Sequence, residues 1–557
     1  MTKPNVRDHG VAPATLAAAL TLVLLSTFTA CGTTPSGPPP LAEEIEVTGG
    51  LIRGEALDDG TLHSFRGIPF SAPPVDDLRW APPQSVVAWE ATHDATAFGP
   101  ACVQPTLPIE LYASEEGPED EDCLTLNVWT AAQNAGDRRP VMVWIHGGAL
   151  IYGAGSRYNG APLARKGVVV VTINYRLGPF GFLAHPDLSA ASSDAVSGNQ
   201  GFLDQIQALE WVRDNIAAFG GDPERVTIFG ESAGSLAVSA LMTSPLAAGL
   251  FHGAIGQSGS MFAHRMPLRE PDGPSESGSH YASAEALGVG FAEALGVHGA
   301  DPLSAMRDRS AEEVLSIWNS NPAFADYFSL PAIDGHVFPA TAAEVFAQGL
   351  HNDVPLMLGS NADEGTAIAP AVAPDAMASL TGYESWVRAR LGEHAERALE
   401  LYPAASDKDV VAAMNDLVCD EMFTWAMQAW ARGTASGQAP AYLYYFSRVP
   451  PGEQSEVLGA YHAAEIPYVF ATVDSAPFTA IDRALSDAMS DAWVRFAATG
   501  DPNGGDLPEW QPYSATEESY LEFGDEIRTG TGLRSDKVAL WQAYYEGGGQ
   551  PPRIELQ

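Results

Sequence analysis

Phe229-Gly230-Glu231-Ser232-Ala233-Gly234-Ser235 is the stretch on which the reading of this chain turns. The apolar run Val226-Thr227-Ile228 precedes it, and Leu236-Ala237-Val238-Ser239-Ala240-Leu241-Met242 follows with the character of a helix start. A strand, then G-x-S-x-G, then a helix lifts a serine hydroxyl out on a tight turn, with glycines where side chains would collide. With 54 glycines in 557 residues, a five-residue match carries little weight alone. Its flanks give it more, and the rest depends on whether partners for Ser232 exist elsewhere.

Outward from this turn, short β-rich apolar runs alternate with helical stretches. Val141-Met142-Val143-Trp144-Ile145, Val168 to Ile173, Val226 to Phe229, Pro355-Leu356-Met357-Leu358 and Tyr442-Leu443-Tyr444-Tyr445-Phe446 read as strands. Continuous apolar runs of this length suit parallel strands covered on both faces. Phe202 to Phe219, with Ile206, Leu209, Val212 and Ile216 at helical spacing, lies between the second and third. The alternation predicts an α/β fold, a doubly wound and mostly parallel sheet. Glu270 to Ser283 reads as a surface loop and Glu546 to Gln557 as a loose tail, both rich in turn formers or polar residues.

An activated serine needs a base, a group that orients the base, and donors for a developing oxyanion. On such a sheet the order along the chain is Ser, then Asp or Glu, then His, each at the C-terminal end of a strand. The strand ending at Gly359 runs into Ser360-Asn361-Ala362-Asp363-Glu364-Gly365, so both Asp363 and Glu364 reach the required edge and the residues alone do not choose between them. After Tyr442 to Phe446 comes Gly459-Ala460-Tyr461-His462-Ala463-Ala464-Glu465, which makes His462 the histidine in the right topological place among thirteen. Donors are expected from His146-Gly147-Gly148-Ala149-Leu150, where small residues let backbone N–H groups approach a substrate oxygen, and from the N–H of Ala233. His146 reads as a structural hydrogen-bonder, because its loop is committed to the oxyanion.

At 557 residues with 46% hydrophobic content and twelve tryptophans, the chain can bury a large core. Its formal net charge of −41 disfavours nucleic acid or an anionic membrane surface as partners. Lys3 and Arg7 precede the apolar segment Ala14 to Leu25, which has the form of a signal peptide. Phe28-Thr29-Ala30-Cys31-Gly32 resembles a bacterial lipoprotein cleavage site, with Phe28 in place of the usual leucine, so residues 1–31 are read as a leader and Cys31 as a lipidation site. Residues 32–44 form a Pro/Gly/Ser tether, 45–545 a catalytic domain and 546–557 the tail. The expected location is the bacterial cell envelope, by lipid attachment through Cys31 alone, or otherwise the secreted fraction. Cys102, Cys123 and Cys419 remain; in an exported chain two of the three are expected to pair, and Cys419, within the helical pattern Val418 to Trp430, reads as an inert buried thiol.

These motifs together resemble the type-B carboxylesterase/cholinesterase family. Arg66-Gly67-Ile68-Pro69-Phe70 to Pro74 with Leu78-Arg79-Trp80 looks like its N-terminal signature, and Glu121-Asp122-Cys123-Leu124-Thr125-Leu126-Asn127 like its disulfide-and-strand motif. Asn174-Tyr175-Arg176-Leu177-Gly178, Phe219-Gly220-Gly221-Asp222-Pro223, the Ser232 turn, Gln257-Ser258-Gly259-Ser260, Asp363-Glu364-Gly365, Tyr461-His462 and Thr499-Gly500-Asp501-Pro502-Asn503 follow in order, so the likeness runs from about Ile45 to Tyr513. It implies the α/β-hydrolase fold and a serine carboxylesterase with Ser232 as nucleophile, Glu364 as orienting acid and His462 as general base. It further implies Gly148, Ala149 and Ala233 as oxyanion donors, Ser258 as support for the acid, a Cys102–Cys123 bridge and a structural Arg79–Glu121 ion pair.

Several positions depart from the cholinesterase pattern. Ala149 stands where cholinesterases carry a third glycine, and Leu150 replaces an aromatic residue. The loop between Cys102 and Cys123 contains Tyr112 and no tryptophan, so the best cation–π partner for a quaternary ammonium is missing. The expectation is therefore a general carboxylesterase acting on small esters without metal or organic cofactor. A lipase, an amidase or a carbamate hydrolase would share the machinery. A noncatalytic adhesion module on the same fold is disfavoured by the intact serine, acid, histidine and oxyanion loop. The sequence assigns no oligomeric state.

Overall fold

The computed structural model describes residues 41–105, 118–264, 266–269, 283–299, 301–321, 324 and 331–551. The proposed leader and lipidation site, Tyr112, all but the last residue of the Glu270–Ser283 loop and the end of the tail lie outside them. The organising element is an eleven-stranded sheet. Its strands in chain order are β1 (Glu55–Leu57), β2 (Leu62–Pro69), β3 (Thr125–Thr130), β4 (Arg139–Ile145), β5 (Val169–Ile173), β6 (Gly221–Glu231), β7 (Gly253–Gln257), β8 (Leu356–Asn361), β9 (Ala441–Phe446), β10 (Ser519–Phe523) and β11 (Ile527–Thr531). Their spatial order is β11-β10-β9-β8-β7-β6-β4-β5-β3-β2-β1. The seven strands from β5 across to β10 pair in parallel, while β3, β2 and β1 at one edge and β11 at the other pair antiparallel.

The apolar runs are continuous because each strand feeds two cores. Val141, Val143 and Ile145 of β4 enter one cluster, and the intervening Met142 and Trp144 enter the other. Strand side chains alternate between faces, so a run with both faces covered must be apolar at every position. The first core is closed by Phe202, Leu209 and Val212 of α1 (Gln200–Asn215), by Ala237 and Leu241 of α2 (Ala233–Thr243), and by Met427 and Trp430. Met489, Trp493 and Phe496 of the helix Ala480–Thr499 close the second. The helix expected over Phe202 to Phe219 is α1 followed by a tighter turn over Ile216–Phe219.

Two differences from the sequence reading concern the C-terminal half. The pattern read as one helix around Cys419 is the helix Asp407–Cys419, a π-helical turn over Asp420–Thr424 and the helix Trp425–Gly433. The segment read as a loose tail begins tied down: Tyr544 Oη accepts the Gln550 N–H at 3.2 Å, and the Gln550 carbonyl accepts from Arg390 at 3.1 Å. The buried Arg390–Glu421 ion pair, which also holds Tyr545 Oη at 3.0 Å from Glu421, explains the anchoring. Residues 552–557 lie outside the described range. Among the described residues, no helix is long and apolar enough to cross a membrane.

Candidate active site

The parallel strands end on one edge of the sheet, and Ser232 sits there between β6 and α2. Its backbone adopts φ 57°, ψ −122°, a left-handed conformation that L-residues enter at a cost. The Ser232 N–H donates to the Gln257 carbonyl of β7 at 2.8 Å, which fixes the turn against the neighbouring strand. The flanking glycines are needed for space. A Cβ on Gly230 would stand 2.6 Å from the Ile145 carbonyl oxygen, and one on Gly234 only 2.0 Å from that same atom. β6 and α2 can therefore cross the end of β4 only with bare backbone at both positions. Ser232 is partly exposed, whereas Glu364 and His462 are buried.

Glu364 follows β8 and His462 lies in the loop after β9, and the tertiary structure brings them together. His462 Nδ1 is 2.6 Å from Glu364 Oε2. The other carboxylate oxygen accepts from Ser258 Oγ at 2.5 Å and from the Asn361 N–H at 2.7 Å. Held by two donors, the carboxylate keeps one oxygen aimed at the imidazole. Phe423, on the π-helical turn, packs against the His462 ring with centroids 4.8 Å apart.

The opposite end of the imidazole meets a group the sequence reading did not single out. His462 Nε2 lies 3.2 Å from Oε1 of the fully buried Glu231, the residue just before Ser232. Among the described residues, no hydrogen bond joins Ser232 Oγ to His462. Burial would depress the imidazole, but the Glu231 and Glu364 carboxylates overcome it and hold the His462 pKa up at about 9. A third buried carboxylate, Glu465, accepts from Gln257 Nε2 at 2.8 Å and Asn361 Nδ2 at 2.6 Å. Burial and then the nearby Glu364 charge push Glu465 above the usual carboxylate range. A signal for Glu231 was present: a charged residue ending an apolar, doubly covered strand must have a partner.

The loop expected to receive an oxyanion leaves the end of β4. Gly148 (φ 101°), Ala149 (φ 54°) and Leu150 (φ 61°) are all left-handed, and a Cβ on Gly148 would fall 2.1 Å from the Tyr152 carbonyl oxygen. Among the described residues, the N–H groups of Gly148 and Ala149 donate to no acceptor in the chain. Ala233 is the first residue of α2, where an N–H has no intrahelical acceptor. His146 underpins the loop: its Nδ1 is 2.8 Å from the Gly147 carbonyl, its ring stacks on Tyr175 at 4.4 Å, and burial lowers its pKa to about 4. A neutral histidine committed to backbone is a scaffold for the loop.

Cys102 and Cys123 are joined by a disulfide closing a 21-residue separation, and Gln104 links that region to the loop by donating to the Cys102 and Gly153 carbonyls at 2.8 and 3.1 Å. Arg79 pairs with Glu121, with Nε–Oε2 at 2.7 Å, and also donates to the Arg307 carbonyl at 3.1 Å. Cys419 is buried and its thiol is pushed well up by burial. Among the described residues, no group of three or more His, Cys, Asp or Glu side chains is arranged to hold a metal ion.

Comparison with known proteins agrees with this architecture. A profile of the Carboxylesterase family matches residues 42–541. The chain is 37% identical over 492 residues to the fumonisin B1 esterase of Sphingopyxis macrogoltabida, covering 85% of this chain and 86% of that one. It is 35% identical over 508 residues to the para-nitrobenzyl esterase of Bacillus subtilis (strain 168), covering 88% and 96%. A solved structure of a PNB esterase superposes with a TM-score of 0.74 at 33% identity, covering 90% of this chain and 99% of that one. On fold, sequence and extent of coverage, the protein belongs to the carboxylesterase family and is a carboxylic ester hydrolase.

Proposed function

We propose that the protein hydrolyses small carboxylic esters through an acyl-enzyme on Ser232. The Ser232 hydroxyl attacks the ester carbonyl while His462 Nε2 takes its proton. The carbonyl oxygen, now negative, is received by the N–H groups of Gly148, Ala149 and Ala233, each such donor contributing roughly 3 kcal/mol to transition-state stabilisation. Collapse expels the alcohol, which takes the proton from His462. Water then repeats the sequence and releases the acid. Glu364 holds Nδ1 and stabilises the imidazolium formed at each transfer.

The observation that carries this reading is the 2.6 Å contact of His462 Nδ1 with a doubly anchored Glu364, beside a serine on a strained turn. Attack requires His462 Nε2 to engage the Ser232 hydroxyl in place of Glu231, a contact that tightens in the reacting complex. The test is hydrolysis of p-nitrophenyl acetate and butyrate by wild type and Ser232→Ala. The expected result is turnover by wild type and loss of at least about a thousandfold in the variant. An inert wild type across acyl lengths, or an active Ser232→Ala, would overturn it.

We further propose that the chain is exported and carries a lipid on Cys31, on the leader-like pattern of its first residues. Palmitate should label wild type and not Cys31→Ala; an unlabelled wild type defeats the proposal.

A further inference from the structure

Glu364 and His462 are 98 residues apart, and both sit on loops rather than inside regular elements. Something must hold the two loops in register, and the ties converge on Asp363. Its Oδ2 accepts the Ala460 N–H at 2.8 Å, and its own N–H donates to the Ala460 carbonyl at 3.0 Å. One residue thus captures both backbone groups of Ala460, two positions before His462. Ties on either side are made by Thr366 Oγ1, donating to the Leu458 carbonyl at 2.8 Å, and Asn361 Nδ2, donating to the Tyr461 carbonyl at 2.8 Å. Gly459 completes the fit. Its φ of 71° favours glycine, and a Cβ there would stand 2.3 Å from Asp363 Oδ2, so the carboxylate fills the room a side chain would need.

We propose that Asp363 is a positioning residue, whose carboxylate clamps the Gly459–Ala460 turn and thereby keeps His462 Nδ1 on Glu364. The inference rests on the triad reading above. Asp363 acts through backbone, and the cleft it lines together with Thr366, Lys408, Asp416 and Cys419 does not include Ser232. Its loss should therefore fall on turnover and leave substrate binding nearly unchanged. A displacement of about 1 Å in a catalytic group costs on the order of a hundredfold in rate.

The test measures kcat and KM on p-nitrophenyl butyrate for wild type, Asp363→Ala, Asp363→Asn and Gly459→Ala, with active serines titrated by a fluorophosphonate. Asp363→Ala should lose at least about tenfold in kcat per titrated serine, with KM within about twofold. Asp363→Asn keeps a side-chain oxygen to accept the Ala460 N–H and should stay within about threefold of wild type. Gly459→Ala keeps Asp363 but forces its carboxylate and the turn apart, so it should show the same loss in kcat and covers the case in which Asp363→Ala does not fold. Wild-type kcat per serine in Asp363→Ala or Gly459→Ala, or an Asp363→Asn as impaired as Asp363→Ala, overturns the inference. An inert wild type or an active Ser232→Ala would instead defeat the triad reading beneath it.

Discussion

Glu231 Oε1 lies 3.2 Å from His462 Nε2, so the residue that precedes the serine touches the histidine expected to deprotonate it. The imidazole is bracketed by carboxylates, with Glu364 at Nδ1 and Glu231 at Nε2. Both favour the imidazolium, and a base must be neutral to accept a proton.

The first prediction follows from that bracket. With His462 raised to about 9, kcat/KM should climb with pH through an inflection above the ordinary histidine value. Glu231→Gln removes one of the charges holding the proton, so the inflection should move down and the variant should reach its plateau at lower pH. A group with a raised folded pKa contributes stability that is full below its unfolded pKa of ~6.5 and is lost as pH rises through the folded value. The stability lead of wild type over Glu231→Gln should therefore be larger near pH 6 than near pH 10. A pH–kcat/KM profile that stays in place or moves upward would sink the argument.

Ser258 offers a second test. Its hydroxyl is one of two donors anchoring Glu364 Oε1, at 2.5 Å, and it is fully buried. Hydrogen bonds to charged groups contribute about 1.5–3 kcal/mol. Ser258→Ala should lower kcat/KM by roughly tenfold, since the Asn361 N–H remains to hold the carboxylate in part. A change under about twofold would show that Asn361 alone suffices.

Gly234 tests the packing of the turn that carries Ser232. A methyl group there would overlap the Ile145 carbonyl oxygen at 2.0 Å and approach His146 backbone at 3.0 Å, and neither atom can swing aside. Gly234→Ala should cost roughly 1–3 kcal/mol or more in denaturant unfolding. It should also reduce activity of the folded fraction by disturbing the start of the oxyanion loop. Wild-type unfolding midpoint and turnover together would refute the steric account.

The Cys102–Cys123 bridge closes a 21-residue separation, for which loop closure predicts roughly 3 kcal/mol of stabilisation. Replacing both cysteines by serine should lower the unfolding midpoint accordingly. Because Gln104 connects the Cys102 and Gly153 carbonyls, esterase activity should be lost on heating before the global transition in the variant. Equal thermal inactivation of the two proteins would contradict the coupling.

The amino-acid sequence by itself determined five of the parallel strands and the chain order of the site. Strands such as β4 had to be apolar at every position because both faces are covered, and that pattern is local. The strand–Gly–x–Ser–x–Gly–helix turn was equally legible, since only bare backbone can pass the end of β4 there. Asp363 and Glu364 could not be told apart on residues alone; the likeness to the family implied Glu364. The tertiary structure sets Glu364 on His462 and gives Asp363 the Ala460 turn. Glu231 was invisible as a partner of His462 for a related reason. Periods of 2 and 3.6 report which face a residue occupies, whereas which buried carboxylate meets which imidazole depends on loops closed over 98 residues and more. Only the folded chain, which pairs each buried charge with its nearest compensating group, makes that choice.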